Sequence, residues 1–194
     1  MSHVFLEMTM TLDGFTAAPG VSMEHPLGLD GERVHEWRRA PDDVDRDAAE
    51  RMFESTGAFV IGRRTFDVRE GPWGDEPVFA GRPCFVVTSR EHEPFERGGS
   101  RFEFVTGGVA EAVARASEAA RAAAGCIMGG ADVARQAFAA GLVDEARLHR
   151  VPVLLGGGTR LFPDAAGHRV ELEPLEVEQG ALATHLRYRV LRDG

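Results

Sequence analysis

The segment from Cys126 to Phe162, CIMGGADVARQAFAAGLVDEARLHRVPVLLGGGTRLF, constrains the fold more than any other stretch of the chain. The apolar run Cys126-Ile127-Met128 ends at Gly129-Gly130. A helical pattern opens directly after it, with Val133, Ala137 and Phe138 on one face. A second strand pattern, Arg147 to Val151, and the loop Gly156-Gly157-Gly158 follow. A strand that turns this sharply into a helix leaves free backbone N–H groups and a partial positive charge at the helix start. Such a place suits a phosphate. The glycine loop reads equally as a flexible turn.

The same alternation runs through the rest of the chain. Val4 to Met10 predicts a strand, turned by Leu12-Asp13-Gly14-Phe15. Residues 19–32 predict a surface loop and Val34 to Arg39 a short helix. Asp45 to Ser55 predicts a longer helix, with Ala48, Ala49, Met52 and Phe53 in period. Ala58 to Ile61 reads as a buried strand and Gly62 to Phe66 as the start of a helix. Residues 70–82 read as a loop around Trp73. Cys84 to Thr88 and Phe102 to Val105 predict strands. Gly107-Gly108 opens an Ala-rich helix ending near Gly125. Val170 to Glu178 and Ala183 to Leu191 predict an antiparallel hairpin turned near Gly180. With no internal repeat and no linker, one domain over 1–194 is expected. The fold class is α/β, three-layer αβα, with a mixed, mostly parallel sheet.

Composition removes several classes of function. A net charge of −9 argues against nucleic acid and anionic membrane as partners. All 22 basic residues are arginine, so Schiff-base and P-loop lysine chemistry are excluded. Cys84 and Cys126 sit far apart in apolar runs and read as reduced, buried thiols. No signal-peptide pattern opens the chain and no run approaches ~20 apolar residues, so a cytoplasmic location is expected. His-Glu-x-x-His, the zinc deaminase cysteines, the Gly-x-Ser-x-Gly elbow and Gly-x-Gly-x-x-Gly are all absent from the sequence.

Four segments follow predicted strands: Leu12-Asp13-Gly14, Gly62-Arg63-Arg64-Thr65, Thr88-Ser89-Arg90 and Gly129-Gly130-Ala131. In open α/β sheets, ligands bind at the carboxyl ends of strands. Each segment offers hydroxyls, guanidinium groups or bare backbone. Any one alone is an ordinary turn; four in order point to a nucleotide.

These pieces, with "TLDGF" at 11–15, "VIGRRTF" at 60–66, "FVVTSR" at 85–90, "IMGGADV" at 127–133 and "GLVDEARLHRVPVLLGGGTRLF" at 141–162, resemble the dihydrofolate reductase-like superfamily. The branch resembled is the reductase domain of bacterial riboflavin biosynthesis. The resemblance implies a sheet of about eight strands flanked by helices, NADPH as hydride donor and a homodimer. It implies that Gly62, Arg63, Arg64 and Thr65 meet the NADPH phosphates. Thr88, Ser89 and Arg90 would receive the adenosine ribose and its 2′-phosphate. The pyrophosphate would pass over Gly129 and Gly130, with a cis peptide there a further expectation, and Ala131, Asp132 and Val133 would follow at the helix start. Asp13 and Gly14 would lie beside the nicotinamide. Arginine suits a 2′-phosphate through its fork of charged donors.

The substrate side is thinner. Asp47 falls about where dihydrofolate reductases place the carboxylate that holds the pterin, yet with Glu50 three residues on it also fits a helix cap. Asp13 is the other candidate for the chemistry and equally a turn residue. His149 lies in a predicted strand along the pocket floor, where a lone histidine is more often structural. Trp37 and Trp73 fit either the wall of a flat ring site or the core. Asp144-Glu145 is expected to begin its strand from the surface. The function expected is an NADPH-dependent reductase of a small heterocyclic, carbonyl or imine substrate, without a metal. The alternatives are a non-catalytic nucleotide-binding sensor of the same fold and a flavin-dependent oxidoreductase.

Overall fold

A computed structural model describes residues 3–73, 75, 77–162 and 169–191. Eleven strands form among them: β1 (Val4–Thr11), β2 (Phe15–Ala17), β3 (Thr56–Gly62), β4 (Cys84–Val87), β5 (Phe95–Arg97), β6 (Ser100–Val105), β7 (Ala124–Gly129), β8 (Glu145–Val151), β9 (Thr159–Arg160), β10 (Glu171–Gln179) and β11 (Thr184–Leu191). The helices are α1 (Glu36–Arg39), entered through a 3-10 turn at Gly31–His35, α2 (Asp43–Ser55), α3 (Arg63–Trp73), α4 (Gly108–Ala120) and α5 (Ala131–Ala139).

Nine strands make one sheet in the order β10-β11-β8-β1-β7-β3-β4-β6-β5, and β2 pairs with β9 in a small antiparallel sheet. The six strands from β8 to β6 run parallel; β11, β10 and β5 are antiparallel to their neighbours. The sheet is therefore mixed and mostly parallel, with one strand more than the eight expected.

Strand alternation sorts the core into two layers. Val4, Leu6 and Met8 of β1 join Val60 and Ile127 under α4 and α5. Phe5 points the other way and joins Phe59, Ile61, Met52 of α2 and Phe66 of α3. Burying each such side chain contributes roughly 1.5–3 kcal/mol. By the same alternation Glu7, Thr9 and Thr11 face the α2 side, where Trp37 packs against Val151 and Ala183.

Four local expectations need correction. Helix α2 begins at Asp43, not Asp45, and its capping box is Asp42 with Asp45 rather than Asp47 with Glu50. Helix α3 continues through Trp73, so 70–82 is loop only in its second part; the Trp73 side chain falls outside the described residues. Helix α4 ends at Ala120, where Arg121 takes φ +55°, well short of Gly125. Strand β5 went unpredicted because its hairpin turn, Gly98-Gly99, separates only three residues from β6. Cys84 and Cys126 are buried free thiols.

Candidate active site

Strands β3, β4 and β7 end side by side, each in one of the segments singled out by sequence. Gly62 closes β3 and Arg63 opens α3; Thr88 follows β4; Gly129 closes β7 and Gly130 caps α5. Between them lies a cleft of about 970 Å³, lined on this side by Gly62, Arg63, Arg64 and Thr65, by Thr88 and Ser89, and by Gly129 through Val133. Its other end is walled by Glu7 and Thr9 of β1, Arg38 of α1 and the loop residues Pro26 and Leu27.

The glycines leave bare backbone here. Gly129 has φ +140°, in the region that favours glycine, and its peptide bond to Gly130 is cis. A Cβ on Gly130 would stand 3.0 Å from Thr65 Oγ1, and one on Gly62 would stand 3.1 Å from Val133 Cγ2. The N-termini of α3 and α5 thus approach each other closely. Arg64 has no ion pair or hydrogen bond among the described residues. Arg63 donates from Nε to Asp67 Oδ1 at 2.6 Å, with its guanidinium over Phe66 and Phe104. Asp132 is engaged by Arg135 and Gln136, each at 2.8 Å.

Eleven of the thirteen cofactor candidates line this cleft; Gly14 and Arg90 do not. Gly14 is a turn glycine, φ +85°, whose N–H donates to Thr11 O at 2.9 Å. Arg90 is exposed, and its backbone N–H donates to Thr88 Oγ1 at 3.0 Å, which shapes the turn after β4.

Neither carboxylate proposed for the chemistry lines the cleft. Asp13 accepts Thr11 Oγ1 at 2.5 Å and the backbone N–H groups of Gly156 and Leu155 at 2.8 and 3.3 Å. The Thr11 hydroxyl, with the two amides, holds its carboxyl below the usual range. Asp13 therefore pins the glycine loop rather than facing substrate. Asp47 is exposed on the outer side of α2. Glu145 opens β8 as expected, but it is buried rather than at the surface, bonded to Arg147 at 2.6 Å and Arg187 at 3.0 Å.

Besides Asp132, a further carboxylate lines the cleft: Glu7, only 2% exposed, which sequence reasoning missed. A lone acid in the otherwise apolar and threonine strand VFLEMTMT was the available signal. Glu7 Oε1 contacts His149 Nε2, and Arg38 Nη2 lies 3.8 Å from the same oxygen. His149 is not alone: β8 pairs it directly with His185 of β11, and the two Nδ1 atoms are 2.7 Å apart. His185 Nε2 in turn lies 2.9 Å from Asp45 Oδ1. Burial, then the charge of His149, holds His185 below its usual range. Trp37 packs tilted against the His149 ring and edge-on against the His185 ring and donates from Nε1 to Thr9 Oγ1 at 3.2 Å; fully buried and outside the cleft lining, it belongs to the core.

A family model described as the RibD C-terminal domain matches residues 2–186. The chain belongs to the RibD C-terminal domain family. Among solved structures, this RibD C-terminal domain is similar to a putative riboflavin biosynthesis protein from Shewanella sp. PV-4, at 21% identity and TM-score 0.69, covering 99% of this chain and 100% of the other. It is similar to a pyrimidine reductase-like protein from Corynebacterium diphtheriae, at 14% identity and TM-score 0.65, covering 99% and 93%. It is similar as well to dihydrofolate reductase from Enterococcus faecalis, complexed with NADP(H), at 17% identity and TM-score 0.58, covering 97% and 96%. No curated protein matches the chain. The fold is thus dihydrofolate reductase-like, the fold of reductases, and no helix among the described residues is long and apolar enough to cross a membrane.

Proposed function

We propose that this protein is an NADPH-dependent reductase of a small, flat C=N or C=O compound. The observation that carries the reading is the convergence on one cleft at the strand ends of Gly129-Gly130, the N-termini of α3 and α5, and Arg64, which has no partner among the described residues. Bare amides, two helix starts and a guanidinium together suit the phosphates of a dinucleotide. Thr65, Thr88 and Ser89 add hydroxyls, and Arg63 a second cation, beside them. NADPH, when bound, supplies the hydride.

The chain's own part is to bind and orient. Leu27, Pro26 and Thr9 offer a wall at the β1 end for a flat ring, and Glu7 with Arg38 offers one carboxyl and one guanidinium cation beside it. Holding both reactants in fixed geometry supplies much of the rate. Membership of a riboflavin-type reductase family supports a heterocycle as substrate.

The test is a thermal melt of the purified protein with NADPH and with NADH, followed by NADPH oxidation against dihydropterins, aminopyrimidines and small carbonyls. Binding raises the melting temperature through RT ln(1 + [L]/Kd). A melt unmoved by millimolar NADPH overturns the reading. Binding without oxidation of any acceptor favours a sensor, and a flavin absorption band in the purified protein favours a flavoenzyme.

A further inference from the structure

Four titratable side chains run in single file from the cleft into the interior: Glu7, His149, His185 and Asp45. They are joined Oε1 to Nε2, Nδ1 to Nδ1, and Nε2 to Oδ1. All four imidazole nitrogens are engaged. Glu7 lines the cleft, and its Oε2 is buried and has no hydrogen-bond partner among the described residues. The groups are strung end to end, and no cluster of His, Cys, Asp or Glu among the described residues converges on a metal position.

The proton count of this file is fixed by its contacts. Each of three contacts needs one proton. Two carboxylates and two neutral imidazoles hold only two between them. The file therefore carries a third, as an imidazolium or a carboxylic acid. A fourth has one free atom to occupy, Glu7 Oε2.

We propose that Glu7, His149, His185 and Asp45 form a proton relay that holds a proton on Glu7 Oε2 and delivers it into the cleft. The proposal rests on the reductase reading above. The substrate carbon takes a hydride pair from a dihydronicotinamide, the π pair of the C=N or C=O moves to the nitrogen or oxygen, and that atom takes the proton of Glu7 Oε2. Glu7 Oε1 then takes the proton of His149 Nε2, and His149, the imidazolium of the file before the step, keeps its Nδ1 proton against His185 Nδ1. His185 keeps its Nε2 proton against Asp45. Three protons remain, one in each contact, so the file survives discharge without an empty contact. One proton from solvent restores it. A second cavity, of about 370 Å³ beneath α2, is lined by both histidines and supplies that route.

The surroundings hold the file's charge. Arg38 of α1 lies beside Glu7. Arg147 of β8 and Arg187 of β11 are tied to Glu145, and Arg187 also to Glu176 of β10. Arg51 of α2 pairs with Glu178 of β10, and Glu54 of α2 lines the same cavity. The Cys126 thiol of β7 is pushed up by burial and then by Glu7, so it stays protonated and out of the relay. Gly180 keeps room for the last member: a Cβ there would overlap the Asp45 carboxylate.

The test is nuclear magnetic resonance of the whole protein labelled with 15N at histidine and 13C at the glutamate carboxyls, titrated in the wild type, Glu7→Gln and His185→Gln. The relay predicts a scalar coupling across the His149–His185 contact and a joint titration of both rings with Glu7. His185→Gln, which touches no cleft atom, should move the Glu7 titration by about one pH unit or more. NADPH affinity should stay within about twofold. With the best acceptor of the panel, kcat should fall by about tenfold or more while KM holds. Asp45→Asn interrupts the same file if His185→Gln fails to fold. Independent titration of the two rings, with Glu7 unmoved by His185→Gln, overturns the relay while leaving the reductase intact. Failure of the wild type to bind NADPH or reduce any acceptor overturns the reductase reading, and the delivery step with it, whatever the titration shows.

Discussion

Thr65 and Gly130 meet across the cleft with no space for a methyl group between them: a Cβ on Gly130 would stand 3.0 Å from Thr65 Oγ1. The start of α3 and the start of α5 are thereby held at the separation of bare backbone. A larger side chain at Gly130, at the start of α5, presses on Thr65 at the start of α3.

Gly130→Val should abolish NADPH binding. Gly129→Ala should do the same at a folding cost of roughly 1–3 kcal/mol, because φ +140° is poor for any residue with a Cβ. Calorimetric titration with NADPH and a denaturant melt separate the two effects. Normal affinity in both variants would place the phosphate site elsewhere.

Arg63 and Arg64 should differ in what they select. Arg64, with no partner among the described residues, is expected to serve the phosphates common to both cofactors, so Arg64→Ala should weaken NADPH and NADH alike. Arg63, held by Asp67 over the ring of Phe104, is placed for a group near the end of β4. Arg63→Ala should weaken NADPH by roughly ten- to a hundredfold, the worth of one charged hydrogen bond, and NADH little. Parallel titrations with the two cofactors decide it.

Glu145 links acid stability to the end of the sheet that carries β8 and β11. Burial works to raise its carboxyl, and the hydrogen bonds and charges of Arg187 and Arg147 outweigh that and leave it lowered. A lowered carboxylate stabilises the fold above its unfolded pKa, and that stability is lost as pH falls through the folded value. Glu145→Gln should therefore cost about 3 kcal/mol near neutral pH, as for one partner of a buried pair. The difference should vanish in acid. Urea melts at pH 7 and pH 3 measure both ends; an equal loss at the two pH values would sink the linkage.

Trp37→Phe should keep the ring contacts with His149 and His185 but leave Thr9 Oγ1 without its donor, costing about 1–2 kcal/mol. Trp37→Ala should cost about 3–5 kcal/mol by opening a cavity in a fully buried site.

The strand ends were legible in the sequence because backbone needs are written locally. Gly62, Gly129 and Gly130 mark where a chain must turn with no Cβ, and the patterns before them have the right period. The helix register of α2 was not legible. Asp42, Asp45 and Asp47 offer rival caps eight, five and three residues before Glu50, and only tertiary contact, Asp45 with His185 and Asp42 with the Ala181 N–H, selects one. The four-membered file was still further out of reach. Glu7, Asp45, His149 and His185 come from four separate elements, and their meeting depends on β1, β8 and β11 lying side by side. No periodicity within one segment encodes that pairing.

Strand β10 forms one border of the main sheet, and its bulge falls between Pro174 and Glu176. Pro174 has no N–H to offer, and Glu171, Glu173, Glu176 and Glu178 line the same strand. A second chain laid along this border would find the ladder broken in the middle and a row of glutamates already paired with Arg169, Arg189, Arg187 and Arg51. Leu172, Leu175 and Val177 are exposed on this strand, yet they sit on a border built to refuse strand addition. The bulge and the missing N–H of Pro174 make this border of the nine-stranded sheet a poorer template for an added strand than an unbroken edge would be.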